Sequence, residues 1–246
     1  GVSKLKLKGI FSVNITQGGK ETMVISGNED LVNKLQVVQT GDLLELTLDE
    51  EESGAFFMKE ELQIDLDITD LSEIRFEGVG NIKNSGTLDV GEMLIAGNGV
   101  GNLSLDLNAQ SLNARLNFVG NMSLKGSANE MTLVNEGIGN IDASDFSVQN
   151  VDLTSSGIGA VSVHCEGELT LKVDGIGVVN YTADDEIVAV HSLAARPAGM
   201  GNGKGTGNGA GNGTGHDRGV YVVLGATHPT LLRQQGEAYR DSLRQR

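Results

Sequence analysis

Hydrophobic and polar residues follow one short motif that returns six times between residues 78 and 179. Each copy contains a glycine, an aliphatic residue, a second glycine, a small, polar or aliphatic residue, and a further aliphatic residue, with phenylalanine replacing the first glycine in the third copy. The spacings between second glycines are 21, 19, 19, 20 and 18 residues, for Gly80, Gly101, Gly120, Gly139, Gly159 and Gly177. A near-constant period of this kind indicates a repeat architecture.

Alignment of the copies on the second glycine gives columns of like residues. The residue before this glycine is aliphatic in all six copies: Val79, Val100, Val119, Ile138, Ile158 and Ile176. The residue two positions after it is also apolar throughout: Ile82, Leu103, Met122, Ile141, Val161 and Val179. Earlier in each copy, mostly apolar columns six and eight positions before the glycine flank a mostly polar column. This period of two predicts strands with one buried and one exposed face.

A period of about 20 residues with strand alternation restricts the possible folds. Propeller blades take roughly 40 residues or more, and leucine-rich repeats need a helix or an equivalent segment on their convex side. The pattern therefore predicts an all-β protein, a single-stranded parallel β-helix with about 20 residues per coil. In such a solenoid each strand pairs with the coils above and below at about 4.8 Å, and equivalent side chains stack.

Glycine and asparagine have a local role in this prediction. Glycine accepts a positive φ, which sharp turns between strands need. The asparagines occupy one column, so their amides can form hydrogen bonds along the stack. The predicted turn and ladder residues are Gly80, Asn81, Gly101, Asn102, Gly120, Asn121, Gly139, Asn140, Gly159 and Gly177.

The chain divides into four predicted segments. Residues 1–70 contain short alternating runs, interpreted as strands that start the β-helix and cap its open edge. Residues 71–195 hold the repeat coils. Residues 199–215 alternate glycine with other residues and predict a flexible linker. Residues 216–246 form a tail with a candidate strand at 220–224 and a possible helix beyond it.

Composition and charge exclude several functions. The 246 residues include 18 Lys and Arg against 33 Asp and Glu, a formal net charge of −15, so nucleic acid and anionic membrane surfaces are poor partners. One cysteine cannot form an internal disulfide. No apolar run reaches the roughly 20 residues that span a bilayer. The chain begins with Gly1 and has no leader pattern, so we expect that an export signal was removed or never existed.

His164 and Cys165 form the only adjacent pair with nucleophilic potential. Cys165 alternates with Val161 and Val163, which places it in the core, where thiols are mostly inert. Asp65 and Asp67 share a strand face, but they lack the loop pattern of calcium sites. We therefore expect no metal site and no cofactor.

Catalysis on polysaccharides needs convergent groups in a cleft. Asp142 and Asp145 could approach each other, but paired acids are common on an acidic surface. Arg75 and Arg115 are the only arginines within the repeats. The sequence therefore favours a protein that is not an enzyme and has no catalytic residues.

The repeated Gly-Val/Ile-Gly-Asn-Ile/Leu/Met units, with residues 11–18 and 41–46, resemble the head GIN domain of the putative auto-transporter adhesin family. The resemblance covers roughly residues 8–190. It implies a right-handed β-helix, a place outside the cytoplasm (secreted, periplasmic or on the outer surface) and a role in surface attachment. Phe118, Ala160 and Val178 depart from the repeated motif, and we assign no part of the carboxyl-terminal tail to the family.

The predicted function is a non-catalytic, adhesin-like binding module whose rigid polar surface meets a host or envelope protein or glycan. Weak repeated contacts on such a surface gain strength through multivalency. A polysaccharide-cleaving enzyme and a passive spacer of the cell envelope are the alternatives. The sequence does not indicate the ligand or the oligomeric state.

Overall fold

A computed structural model describes residues 1–48 and 62–182, apart from the side chain of Val79, and the backbone of residues 189–194 and 220–224. The predicted linker at 199–215 and the possible helix in the tail lie outside the described residues. The elements are β1 (Lys4–Gln17), β2 (Thr22–Ser26), α1 (Glu29–Lys34), β3 (Gln36–Thr40), β4 (Leu43–Thr47), β5 (Leu62–Ile68), β6 (Glu73–Ser85), β7 (Leu88–Asn135), β8 (Ile138–Ser155), β9 (Ile158–Val173), β10 (Ile176–Thr182), β11 (Ala189–Ala194) and β12 (Val220–Leu224).

The described strands belong to one hydrogen-bonded sheet of twelve members. Its main path runs β12-β10-β9-β8-β7-β6-β1-β4-β3, while β11 pairs with β9 and β5 pairs with β1 and β2. Most pairs are parallel, and the exceptions are β2 with β5 and β3 with β4. The short helix α1 begins after Asn28, whose side chain accepts a hydrogen bond from Asp30 N at 2.9 Å.

The all-β class is right, but the specific prediction of a right-handed single-stranded parallel β-helix with N-terminal capping strands is wrong. Strand β1 lies inside the sheet, with β6 on one side and β4 and β5 on the other. The strands are unequal, since β7 alone has 48 residues. Two antiparallel pairs also occur among the first five strands. Apolar periodicity specifies which residues lie side by side, but it does not specify where a strand is interrupted or how the first strands join the sheet.

Equivalent repeat positions lie side by side in the sheet. Gly78 pairs with Gly99 and Asn81 with Asn102 between β6 and β7. Farther along, Gly139 pairs with Gly159 between β8 and β9, and Gly159 with Gly177 between β9 and β10. Like residues therefore form rows across the strands, and the glycine and asparagine positions of one repeat lie beside those of the next.

The core consists of the apolar rows that alternate with polar ones. The row two residues after the second glycine is buried in all six repeats, from Ile82 to Val179. The row six residues before that glycine is also buried: Ile74, Ile95, Ala114, Leu133, Leu153 and Leu171. Full burial of one such aliphatic side chain contributes about 1.5 to 3 kcal/mol. The rows together form a single hydrophobic cluster through the described residues.

Candidate binding surfaces

The glycine rows lie where neighbouring backbones approach closely. A Cβ atom on Gly139 would lie 1.7 Å from the carbonyl oxygen of Gly120, and one on Gly120 would lie 1.7 Å from that of Gly101. At the second glycine of the other repeats, a Cβ atom would lie 1.7 to 2.0 Å from a backbone carbonyl oxygen of the neighbouring strand. The sequence predicts turns at these glycines, whereas Gly101 and Gly120 lie within β7. Any side chain at these positions would collide with the preceding repeat.

Phe118 replaces the first glycine of its repeat and is buried. Its ring packs edge to face against Phe76, with ring centroids 5.7 Å apart and an angle of 80°. A Cβ on Gly97 would come within 2.1 Å of the Phe76 ring, so glycine leaves the space that this ring needs. The departure from the motif thus supplies an aromatic contact between repeats.

The asparagine row forms side-chain hydrogen bonds from repeat to repeat. Asn102 Nδ2 donates to Asn81 Oδ1 at 2.9 Å, Asn121 Nδ2 to Asn102 Oδ1 at 3.2 Å, and Asn140 Nδ2 to Asn121 Oδ1 at 3.5 Å. At the next repeat Ala160 replaces asparagine, and its backbone N–H donates to Asn140 Oδ1 at 3.3 Å. The carboxamide side chains are thereby held in one orientation along the surface.

A row of aliphatic side chains beside these asparagines is exposed. Five side chains directly before the second glycine are 46 to 50% exposed: Val100, Val119, Ile138, Ile158 and Ile176. Strand alternation predicts that this row is exposed. It lies three residues before the buried row, and residues an odd number of positions apart on a strand face opposite sides. At a strand spacing of about 4.8 Å, the five side chains make a line roughly 19 Å long.

We name this surface the ladder strip; it consists of Val79–Asn81, Val100–Asn102, Val119–Asn121, Ile138–Asn140, Ile158–Ala160 and Ile176–Val178. None of its residues is charged. The whole chain has 51 charged side chains, of which 33 are acidic and 18 are basic. All the predicted turn and ladder residues therefore lie on one surface. An exposed apolar line bordered by polar groups is typical of an interaction site.

A groove lies beside the ladder strip, with a volume of about 520 Å³. We name it the arginine groove, because both arginines of the repeats line it. The lining residues are Lys6, Leu7, Lys8, Arg75, Phe76, Glu77, Ala96, Gly97, Asn98, Arg115, Leu116, Asn117, Thr132, Val134 and Glu136. Sequence reasoning missed this groove, although Arg75 and Arg115 both lie five residues before a second glycine.

The candidate catalytic acids have structural partners. Asp142 Oδ1 accepts hydrogen bonds from Ser144 Oγ at 2.5 Å and from Ser144 N at 3.1 Å. These bonds lower the pKa of Asp142, which makes it a poor general acid. Asp145 Oδ2 lies 3.9 Å from Lys125 Nζ in an exposed ion pair.

Cys165 is buried, as predicted, and burial raises the pKa of its thiol. Its Sγ donates to the backbone oxygen of Glu168 at 3.2 Å. A protonated and enclosed thiol is unsuited to nucleophilic attack. His164 lies near it in the chain, with Nδ1 3.5 Å from Ser147 Oγ.

The acidic strand β5 makes hydrogen bonds at its surface. Asp65 Oδ1 accepts from Asn14 Nδ2 at 3.3 Å, and Asp67 Oδ2 accepts from Thr22 Oγ1 at 2.7 Å. Within residues 1–48 and 62–182, no three His, Cys, Asp or Glu side chains come together as a metal site would require. The same described part of the chain contains no helix with the length and apolar character of a membrane span.

The fold and these surfaces define an all-β repeat protein with two candidate binding surfaces. Residues 2–184 match the family model described as putative auto-transporter adhesin, head GIN domain, and the chain belongs to this family. No curated protein matches the chain.

Solved structures agree with this fold. A putative adhesin from Bacteroides fragilis is 26% identical, with a TM-score of 0.69, over 78% of this chain and 89% of that one. A putative lipid binding protein from Parabacteroides distasonis is 18% identical, with a TM-score of 0.54, over 79% of this chain and 94% of that one. A putative adhesin from Parabacteroides merdae is 17% identical, with a TM-score of 0.50, over 78% and 92%.

Proposed function

We propose that this protein is a non-catalytic, adhesin-like module that works outside the cytoplasm and binds a protein or glycan of a host or of the cell envelope through the ladder strip. The exposed row of five aliphatic side chains is the observation that carries this proposal. Family membership supports an adhesin-type role and an extracytoplasmic place.

The chemistry of the ladder strip suits a broad, shallow contact. The aliphatic row offers apolar surface, and the neighbouring amides both donate and accept hydrogen bonds. Because the strip has no charged side chain, no charge has to be removed from water when a ligand covers it. Repetition from strand to strand lets several weak contacts act together on an extended ligand.

The test is binding to immobilised matrix proteins, mucin and envelope glycans by the wild type and two variants. Ile138→Asp places a charge in the middle of the aliphatic row and should abolish binding to any protein or uncharged glycan that the wild type binds. Asn129→Asp is the matched control, because it adds the same charge at an exposed position of β7 outside the strip. It should bind as the wild type does.

Two outcomes would contradict the proposal. Wild-type protein that binds none of these ligands would favour the passive spacer. A glycan that is cleaved, with cleavage lost on Asp142→Asn or Asp145→Asn, would favour the enzyme. Neutralising these two acids should leave binding unchanged if the ladder strip is the binding surface.

A further inference from the structure

We propose that the arginine groove is a second binding site and that it takes a linear acidic saccharide, one that carries carboxylate or sulfate groups along its chain. The groove lies next to the ladder strip but shares no residue with it, so this inference stands apart from the function proposed for the strip. Its volume of about 520 Å³ lies within the range of ligand pockets, about 300 to 1,000 Å³.

Positive charge is concentrated in this groove. Four cationic side chains line it, Lys6, Lys8, Arg75 and Arg115, against two carboxylates, Glu77 and Glu136. The chain as a whole has a net charge of −15, so most of its surface repels an anion. The groove lining has two more cationic than acidic side chains, so it repels an anion less than the rest of the surface does.

The cations differ in how much of their charge is already paired. Lys6 Nζ lies 2.7 Å from Glu45 Oε1, and Arg75 Nε forms an ion pair with Glu73. Among the described residues, Arg115 and Lys8 form no ion pair, and both are exposed. A guanidinium has five N–H donors, so Arg75 retains donors beyond its Nε.

The two arginines flank a depression in the surface. Arg75 pairs with Ala96 in the sheet, and Arg115 holds the same place in the following repeat. Two strand spacings of about 4.8 Å separate the arginine backbones by about 10 Å, with the small Ala96 between them. Guanidinium groups bind carboxylate and sulfate oxygens through paired hydrogen bonds. An acidic group in the depression therefore has a guanidinium donor on each side.

The remaining lining favours a saccharide over an acidic peptide. Asn98, Asn117 and Thr132 supply amide and hydroxyl groups, which bond well to sugar hydroxyls. Glu77 and Glu136 accept hydrogen bonds from hydroxyl donors, which every unit of a saccharide has and a glutamate or aspartate side chain lacks. The half-buried ring of Phe76 offers an apolar floor. Together these groups match an acidic chain that is also rich in hydroxyls.

Titration calorimetry tests the proposal with oligogalacturonate, a sulfated oligosaccharide of the heparin type, a dextran oligosaccharide and poly-glutamate. We expect binding to at least one of the two acidic saccharides, weakened by added salt. Arg115→Gln should reduce that affinity about tenfold or more, the ratio for one charge-assisted hydrogen bond. The two acidic arms show whether carboxylate or sulfate is preferred.

Lys172→Gln is the matched control, since Lys172 lies in the same row as Arg115, is exposed and does not line the groove. It should bind as the wild type does. Equal losses of affinity in both variants would show attraction by overall charge alone and would overturn the proposal. Unchanged affinity in Arg115→Gln would also overturn it, and so would a wild type that binds neither acidic saccharide. Dextran or poly-glutamate bound as tightly would overturn the assignment of the ligand. Ile138→Asp, which alters only the ladder strip, should retain saccharide binding.

Discussion

At the scale of single residues, the second glycine of each repeat is fixed by the neighbouring backbone. Gly139→Ala would place a methyl group 1.7 Å from the Gly120 carbonyl oxygen at a φ of 146°. We expect a loss of at least about 3 kcal/mol in the free energy of unfolding, from overpacking and backbone strain together. Urea denaturation measures it. Gly91→Ala is the control, with nothing within 4 Å of its Cβ position, and should change stability by about 0.5 kcal/mol at most.

A single carboxyl group also couples the fold to pH. Hydrogen bonds from Ser144 lower the pKa of Asp142 below its ordinary value of 3.8. A carboxyl group with a lower pKa in the folded state stabilises the protein above its unfolded pKa, and this stabilisation disappears as the pH falls through the folded pKa.

Ser144→Ala removes the side-chain part of this effect. We expect wild type to be more stable than Ser144→Ala above about pH 4, and the difference to shrink as the pH falls further. Thermal unfolding between about pH 6 and 2 measures it. A difference that grows on acidification would contradict the cause assigned to the Asp142 shift.

At the scale of elements, the asparagine row connects β6, β7 and β8 through side chains. Asn121→Ala removes the hydrogen bond to Asn102 and the one from Asn140, each on an exposed surface. We expect a loss of about 0.5 to 1 kcal/mol in the free energy of unfolding, the range of cross-strand polar pairs. Asn129→Ala, at an exposed position of β7 outside the row, should have no measurable effect. Equal losses in the two variants would mean that the row adds no stability.

The sequence predicts which residues of each strand are buried, but it predicts less about how the strands are arranged in the sheet. Period-two alternation is enough to find the buried rows that contain Ile82 and Leu133, because burial follows side-chain direction. It does not show that β1 is an inner strand, since that depends on contacts with residues 43–47 and 62–85 far along the chain. The arginine groove forms where Ala96 and Gly97 leave room between the larger side chains of the repeats on either side. The apolar and polar pattern along one strand does not show how side chains of different repeats fit together.

At the scale of the whole molecule, the sheet order makes local stability uneven. Strand β4 lies between β1 and β3, and its Leu44 and Leu46 are buried. Strand β3 has the same length of five residues but pairs only with β4 among the described strands, and all five of its residues are exposed. Backbone groups with few buried neighbours open at low free energy, whereas those in the centre open only with the whole structure.

Hydrogen exchange followed by mass spectrometry separates these cases. We expect the amides of β3 to exchange at least about tenfold faster than those of β4, with β7 and β8 slowest of all. The equal length of β3 and β4 makes them a matched pair within one molecule. Equal protection would show that another segment or a second molecule covers the outer side of β3. That result would identify β3, with the exposed side chains of Val37 and Val38, as a site of contact. An uncovered strand edge offers its N–H and C=O groups to a partner.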